Sequence, residues 1–106
     1  MMGKENSLKE IQKKVEDWIL NHGGYWPPLA MISAVIEEVG ELAREINHLE
    51  GFKPKKRNRS SNVGEELGDL FFSIICLANY YKIDLSNKFS EVLEKYSKRD
   101  AKRFIT

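Results

Sequence analysis

Residues 64–81 read GEELGDLFFSIICLANYY. From Leu67 to Tyr81, Asp69 is the only charged residue, and Phe71, Phe72, Ile74, Ile75, Leu77 and Ala78 surround a helical axis almost completely. A helix apolar nearly all round lies inside a protein or an oligomer. An ionised carboxylate on such a helix costs on the order of several kcal/mol unless it is paired or binds a metal. The opening of this stretch has a near copy upstream: residues 36–42 read IEEVGEL and residues 64–70 read GEELGDL. Each copy carries a Glu-x-x-acid pair, Glu38 with Glu41 and Glu66 with Asp69. Residues three apart share a helix face, so each pair forms a two-carboxylate claw.

On the upstream helix, about 100° per residue also brings Glu45 into the stripe of Glu38 and Glu41, along the border of the apolar face. Gly40 and Gly68 each cost a helix about 1 kcal/mol relative to alanine. The expected return is a close approach of two backbones, which brings the four carboxylates together. An all-oxygen donor set favours Mg²⁺, with Mn²⁺ as a substitute, over zinc. The di-iron bundle pattern needs Glu-x-x-His twice, and Glu45-x-x-His48 supplies it once. A single acidic pair on a helix reads as solvated surface charge. Two matched copies, one on an otherwise apolar helix, favour a metal centre.

The rest of the chain extends this helical reading. Ser7-x-x-Glu10 is a capping-box pattern, followed by Leu8, Ile11, Val15, Trp18 and Ile19 at helical spacing and a glycine stop at His22-Gly23-Gly24. Pro27-Pro28 opens a second helix whose apolar face runs from Ile32 to Leu49 and ends near Gly51. Residues 52–61 contain Pro54 and read as a loop. A third helix is expected from Asn62 to Tyr81. A fourth follows Asp84 as N-cap, with Leu85, Phe89, Val92, Leu93 and Tyr96 on one face. No segment has the period of two that marks a strand. The expected fold is an all-α, four-helix bundle-type subunit forming a single domain over residues 1–106.

At 106 residues one domain is expected. With 42% hydrophobic and 31% charged residues the chain is globular. So short a chain buries only about 60–68% of its unfolded surface, which makes oligomerisation a reasonable way to add core. The net charge of +1 excludes the basic signature of a general nucleic-acid binder. It hides a segregation, because residues 52–60 and 95–103 together hold 10 of the 17 bases. No apolar run approaches the ~20 residues of a membrane span, and MMGKENSLKE is not a signal-peptide core, so a cytoplasmic protein without membrane contact is expected. Cys76 is the only cysteine, which removes disulfide frameworks and CxxC zinc sites.

Glu-x-x-Glu, a spacer, then Glu-x-x-Asp resembles the signature of the MazG-like nucleotide pyrophosphohydrolases. The flanks EEVGELAREINHLEGFKPKK, EELGDLFFSIICLAN and KYSKRDAKRF are similar as well. The resemblance covers about residues 8–104 and is strongest to the short, single-domain members. It implies an all-α homodimer or homotetramer that hydrolyses nucleoside triphosphates, commonly deoxynucleotides, to the monophosphate and pyrophosphate. It implies Glu38, Glu41, Glu66 and Asp69 as Mg²⁺ ligands. It also implies Lys95 and Arg99 as a Lys-x-x-x-Arg element facing phosphate oxygens.

The chemistry agrees independently. A metal–triphosphate complex needs carboxylates for the ion and Lys or Arg for the remaining phosphate charge. Glu41, then Glu37, are the first candidates to orient the attacking water. Lys53 in the basic loop is a candidate to close over phosphates, against a plain solvated loop. Asn79 is a candidate for the sugar or base, against a satisfied core amide. Tyr25 and Trp26 are expected mainly to pack, His22 and His48 to be surface or capping residues, and Cys76 to be a core hydrophobe. Two other classes remain: a non-catalytic, metal-stapled helical interaction module, and a nucleic-acid binder using the two basic stretches. The acidic claws oppose the second.

Overall fold

Capping chemistry sets the ends of the elements in the computed structural model, which describes residues 7–51 and 60–100. Helix α1 spans Leu8–Leu20. Its capping box is closed: the Ser7 hydroxyl accepts from the Glu10 N–H at 3.1 Å, and the Glu10 carboxylate accepts from the Ser7 N–H at 3.1 Å. It stops where Gly23 and Gly24 take φ of 106° and 90°. That left-handed region suits glycine, and it lets the Gly24 N–H reach back to the Ile19 carbonyl at 2.9 Å. Helix α2, Pro28–Glu50, starts on a proline whose missing N–H has no intrahelical role there.

Helix α3 covers Ser60–Tyr80. It begins two residues before the expected Asn62, within the latitude that helix ends show. Helix α4, Leu85–Asp100, is capped as expected. The Asp84 carboxylate accepts from the N–H groups of Ser86 (3.0 Å) and Asn87 (3.3 Å) and pairs with Lys9 at 3.5 Å. The Asn87 bond foremost, with help from Lys9 and Ser86, holds the Asp84 carboxyl below its ordinary pKa. The expected all-α, four-helix subunit is therefore what the described residues form.

Helices α2 and α3 make the most extensive pairing, α1 lies on α3, and α4 docks on α1. The core lies where the first three meet: Val15, Met31, Ile75 and Cys76 are buried, with Ile11, Ile19, Tyr25, Leu77 and Leu85 packed around them. Ile75 is only 1% exposed. The α1–α3–α4 corner is tied by one side chain. Gln12 donates to the Asn79 amide oxygen (2.8 Å) and the Ile83 carbonyl (2.9 Å), and accepts from the Leu85 N–H (3.0 Å). Asn79 returns a bond to the Gln12 carbonyl at 2.9 Å. Its amide is thus engaged in the core at both ends.

The third helix is not fully covered by its own subunit: Leu67, Phe71 and Ile74 stand exposed, with α2 its main cover and α1 a lesser one. Matching stripes remain open on α2 (Ile32, Ile36, Val39) and α4 (Phe89, Leu93, Tyr96). Leu29 is 81% exposed and Ile36 65%. One expectation needs correction. Gly40 and Gly68 do not serve a close α2–α3 approach, since a Cβ at either would meet nothing within 4 Å. They face open space, so packing inside the subunit does not require them.

The Gln12–Asn79 bonds predict that Asn79→Ala lowers folding stability by about 1–3 kcal/mol through unsatisfied partners. Denaturant unfolding measures this, and an unchanged midpoint would remove Asn79 from the fold's support.

Candidate metal centre

Helix periodicity turns Glu38 on α2 and Glu66 and Asp69 on α3 toward the groove between the two helices. One carboxylate oxygen from each lies within 4.8 Å of the others. Oxygens bound to one ion at about 2.0–2.6 Å stand no more than about 4–5 Å apart, so this group needs only a slight contraction to hold a divalent cation. The donor set is all oxygen, hard and anionic, which fits Mg²⁺ or Mn²⁺. Glu38 and Glu66 are half-buried; Asp69 is exposed within the subunit, contrary to the burial expected of it.

The crowding has an electrostatic signature. Burial first, then the charges of Glu41, Asp69, Glu38 and Glu45, push the Glu66 carboxyl above its ordinary pKa. Glu41 acts on Glu66 at this distance but stands outside the three-oxygen group. Its carboxylate instead accepts from Arg44 at 3.2 Å, one turn along α2. That pair is exposed on both sides and worth at most about 1 kcal/mol, so Glu41 is readily released. Glu45 is the surprise: at 8% exposure it is the one buried charged residue among those described. It accepts from the Asn62 amide at 3.3 Å, beside the first turn of α3, where free N–H groups favour an anion. Its place in the Glu38–Glu41 stripe was the only sequence signal for it. One turn further, His48 has a buried Nδ1 without a partner among the described residues.

The carboxylates open into a cavity of about 440 Å³. Glu37, Glu38 and Asp69 line one part of it; Trp18, His22, Tyr25, Trp26 and Phe72 line the remainder, with Cys76 at its wall. Trp26 is 63% exposed there rather than packed away. Tyr25 does pack: its hydroxyl donates to Glu16, and its ring meets Tyr80 edge-on at 6.1 Å. Burial, reinforced by Glu16, pushes its pKa up to about 12. Burial likewise raises the Cys76 thiol, leaving it unreactive. Trp18 and His22 are the lining residues that the sequence had hidden. Trp18 falls on the apolar period of α1, and His22 follows the helix end; their i, i+4 spacing was the available clue.

The basic candidates lie elsewhere. Lys95 and Arg99 sit on α4 over the Tyr96 ring, at 5.3 and 4.7 Å from its centroid, and Arg99 pairs with Asp100 at 2.9 Å. Neither lines the cavity. Asn79 is spent on Gln12. Lys53 falls outside the described residues.

Residues 27–104 match the MazG nucleotide pyrophosphohydrolase domain. The chain belongs to the MazG nucleotide pyrophosphohydrolase family. The MazG match spans the metal group, the cavity's α2 and α3 walls and all of α4. The uncharacterized protein YpjD of Bacillus subtilis is 41% identical over 102 residues, which is 94% of this chain and 92% of that one. A crystal structure of YpjD superimposes with a TM-score of 0.80 at 42% identity, covering 91% of this chain and 98% of the other. The Bacillus-conserved MazG protein, a nucleotide pyrophosphohydrolase, superimposes with a TM-score of 0.75 at 42% identity, covering 91% and 93%.

A raised carboxyl pKa has a definite stability sign. The folded state holds the Glu66 proton more tightly than the unfolded chain, so metal-free stability falls as pH rises through that raised value. Glu66→Gln is expected to remove this part of the fall. Mg²⁺ is expected to raise the melting temperature of the unmodified protein by several degrees at neutral pH, at about 4–8 °C per kcal/mol for a domain of this size. The variant is expected to lose that rise. Thermal melts with and without Mg²⁺ measure both effects.

Proposed function

We propose that this protein hydrolyses nucleoside triphosphates, deoxynucleotides among them, to the monophosphate and pyrophosphate in a Mg²⁺-dependent reaction that limits or cleans nucleotide pools. The observation that carries this reading is one cavity lined both by aromatic side chains and by Glu38 and Asp69, two members of the three-carboxylate group that Glu66 completes. Such a cavity suits a ligand whose phosphates travel with a metal and whose other end is a flat base. The name of the Bacillus MazG relative, a nucleotide pyrophosphohydrolase, points the same way.

Glu38, Glu66 and Asp69 hold the ion, and Glu41 joins them as the fourth ligand by leaving Arg44. Bound there, Mg²⁺ supplies positive charge at the phosphates and acidifies a coordinated water. Glu41 orients the attacking water, with Glu37, at the cavity wall, as the second candidate. Lys95 and Arg99 meet the outer phosphates, as does Lys53 from the segment after α2. Asn79, already bonded to Gln12, supports the cavity wall through α3. Base and sugar occupy the aromatic part. The substrate is a nucleotide rather than a nucleic acid, and no described helix is long and apolar enough to cross a membrane.

The subunit works as a homodimer or homotetramer in the cytoplasm. Supporting assembly are the three open apolar stripes on α2, α3 and α4. Assembly also gives α4 a route to a neighbouring metal group that its docking on α1 does not give it within one subunit.

Incubation with Mg²⁺ and a panel of nucleoside triphosphates is expected to release pyrophosphate; orthophosphate as the sole product would overturn the proposal. Metal-dependent melting with no turnover of any nucleotide would favour the metal-stapled interaction module instead. Glu38→Gln and Asp69→Asn are expected to cut kcat by at least about a hundredfold, the scale of losing one transition-state charge stabiliser, with the helical circular-dichroism signal kept. Lys95→Ala is expected to raise KM more than it lowers kcat. Unchanged kinetics would remove Lys95 from the site.

A further inference from the structure

The turn after α1 holds a histidine in an unusually defined state. His22 Nδ1 lies 2.7 Å from the backbone carbonyl oxygen of Trp18. A carbonyl oxygen only accepts, so Nδ1 carries the hydrogen. In the neutral ring Nε2 is then a bare acceptor. The ring plane is fixed as well. It stacks on the Trp18 indole with centroids 4.0 Å apart and 15° between planes, and Phe72 braces that indole edge-on at 5.8 Å. Gly23 and Gly24, with positive φ, lock the turn that carries it. Tautomer and orientation are therefore both set before any ligand arrives.

His22 lines the same cavity as Glu38 and Asp69. Among the described residues no group is hydrogen-bonded to its Nε2. Nδ1 faces back to the helix, so Nε2, on the far side of the ring, faces away from it. Among the polar groups nearby, Tyr25 donates its hydroxyl to Glu16 and Glu38 and Asp69 belong to the metal group, while Glu37 and Ser73 also line the cavity. An acceptor fixed in a wall of aromatic rings is costly to leave unmet once a ligand displaces water from it.

We propose that His22 reads the base, its Nε2 accepting a hydrogen bond from the exocyclic amino group of a cytosine or adenine ring seated among the aromatic side chains. The inference rests on the nucleotide reading of the cavity. A carbonyl in place of the amino group sets lone pair against lone pair and leaves Nε2 unpaired, so the site discriminates against the deaminated base. The substrates are thus the amino-bearing nucleotides, and His22 is a specificity determinant rather than part of the hydrolytic machinery.

The test uses pairs that differ only in this replacement, dCTP with dUTP and dATP with dITP. The unmodified protein is expected to favour the amino member by about tenfold or more in kcat/KM, the scale of one hydrogen bond made against one lost. His22→Phe keeps an aromatic ring on Trp18 and removes the acceptor. His22→Asn keeps a donor for the Trp18 carbonyl and leaves no acceptor at the position of Nε2, because the amide oxygen stops one bond closer to the backbone. Both are expected to shrink the preference to about twofold or less while pyrophosphate release continues. No amino preference in the unmodified protein, or a preference that survives in either folded variant, would overturn the proposal. If no triphosphate is turned over, the hydrolase reading fails by itself. Equilibrium binding of dCMP against dUMP to the same proteins then decides the role of His22: a preference lost in the variants supports it, and equal binding refutes it.

Discussion

Mutual repulsion among carboxylates is the constraint around which this subunit is arranged. Helices α2 and α3 form its most extensive contact, and that contact delivers Glu38, Glu66 and Asp69 into one small volume. Burial first, and then the charges of its acidic neighbours, hold the Glu66 carboxyl above its ordinary pKa. Two contacts draw neighbouring carboxylates aside. Glu41 is drawn off by Arg44, and Glu45 is buried against Asn62 at the start of α3. The acidic groove is thus one that could hold a divalent cation, and apolar packing at Ile75 and Cys76 lies one to two turns along α3 from Asp69.

Much of this was legible from residues alone. The caps at Ser7 and Asp84, the glycine stop at 23–24 and the apolar periods fixed four helices, because each of these signals is local. The paired acids were legible for the same reason: i, i+3 geometry is a property of one helix. What escaped were quantities that depend on neighbours. The depth of Glu45 depends on where α3 starts. The exposure of Asp69 and of the α3 apolar face depends on α4 docking against α1 rather than covering α3. The cavity wall of Trp18 and His22 arises because the turn after α1 folds back toward α2, and no periodicity announces that.

The two glycines of the repeated motif show how a sound local argument can miss its target. Gly40 and Gly68 weaken their helices, and close backbone approach is the usual return for that cost. Within the subunit neither is approached by anything. Both sit on helices with open apolar stripes, so any role in close packing belongs to contacts beyond one chain. On α4 the basic residues pair within the helix, Lys88 with Glu91, Lys98 with Glu94 and Arg99 with Asp100, and Phe89, Leu93 and Tyr96 stay exposed.

The cavity draws its two kinds of wall from different stretches of chain. Its carboxylates come from α2 and α3, while Trp18, His22, Tyr25 and Trp26 come from the end of α1 and the seven-residue turn that follows. That turn closes on glycines and on bonds back to Ile19, not on the acidic groove. Substitutions between residues 18 and 26 can therefore reshape one wall while the acidic wall stays as it is. A lineage built on this plan is free to exchange its ligand preferences by drift in a short surface turn, without passing through forms that have lost their chemistry.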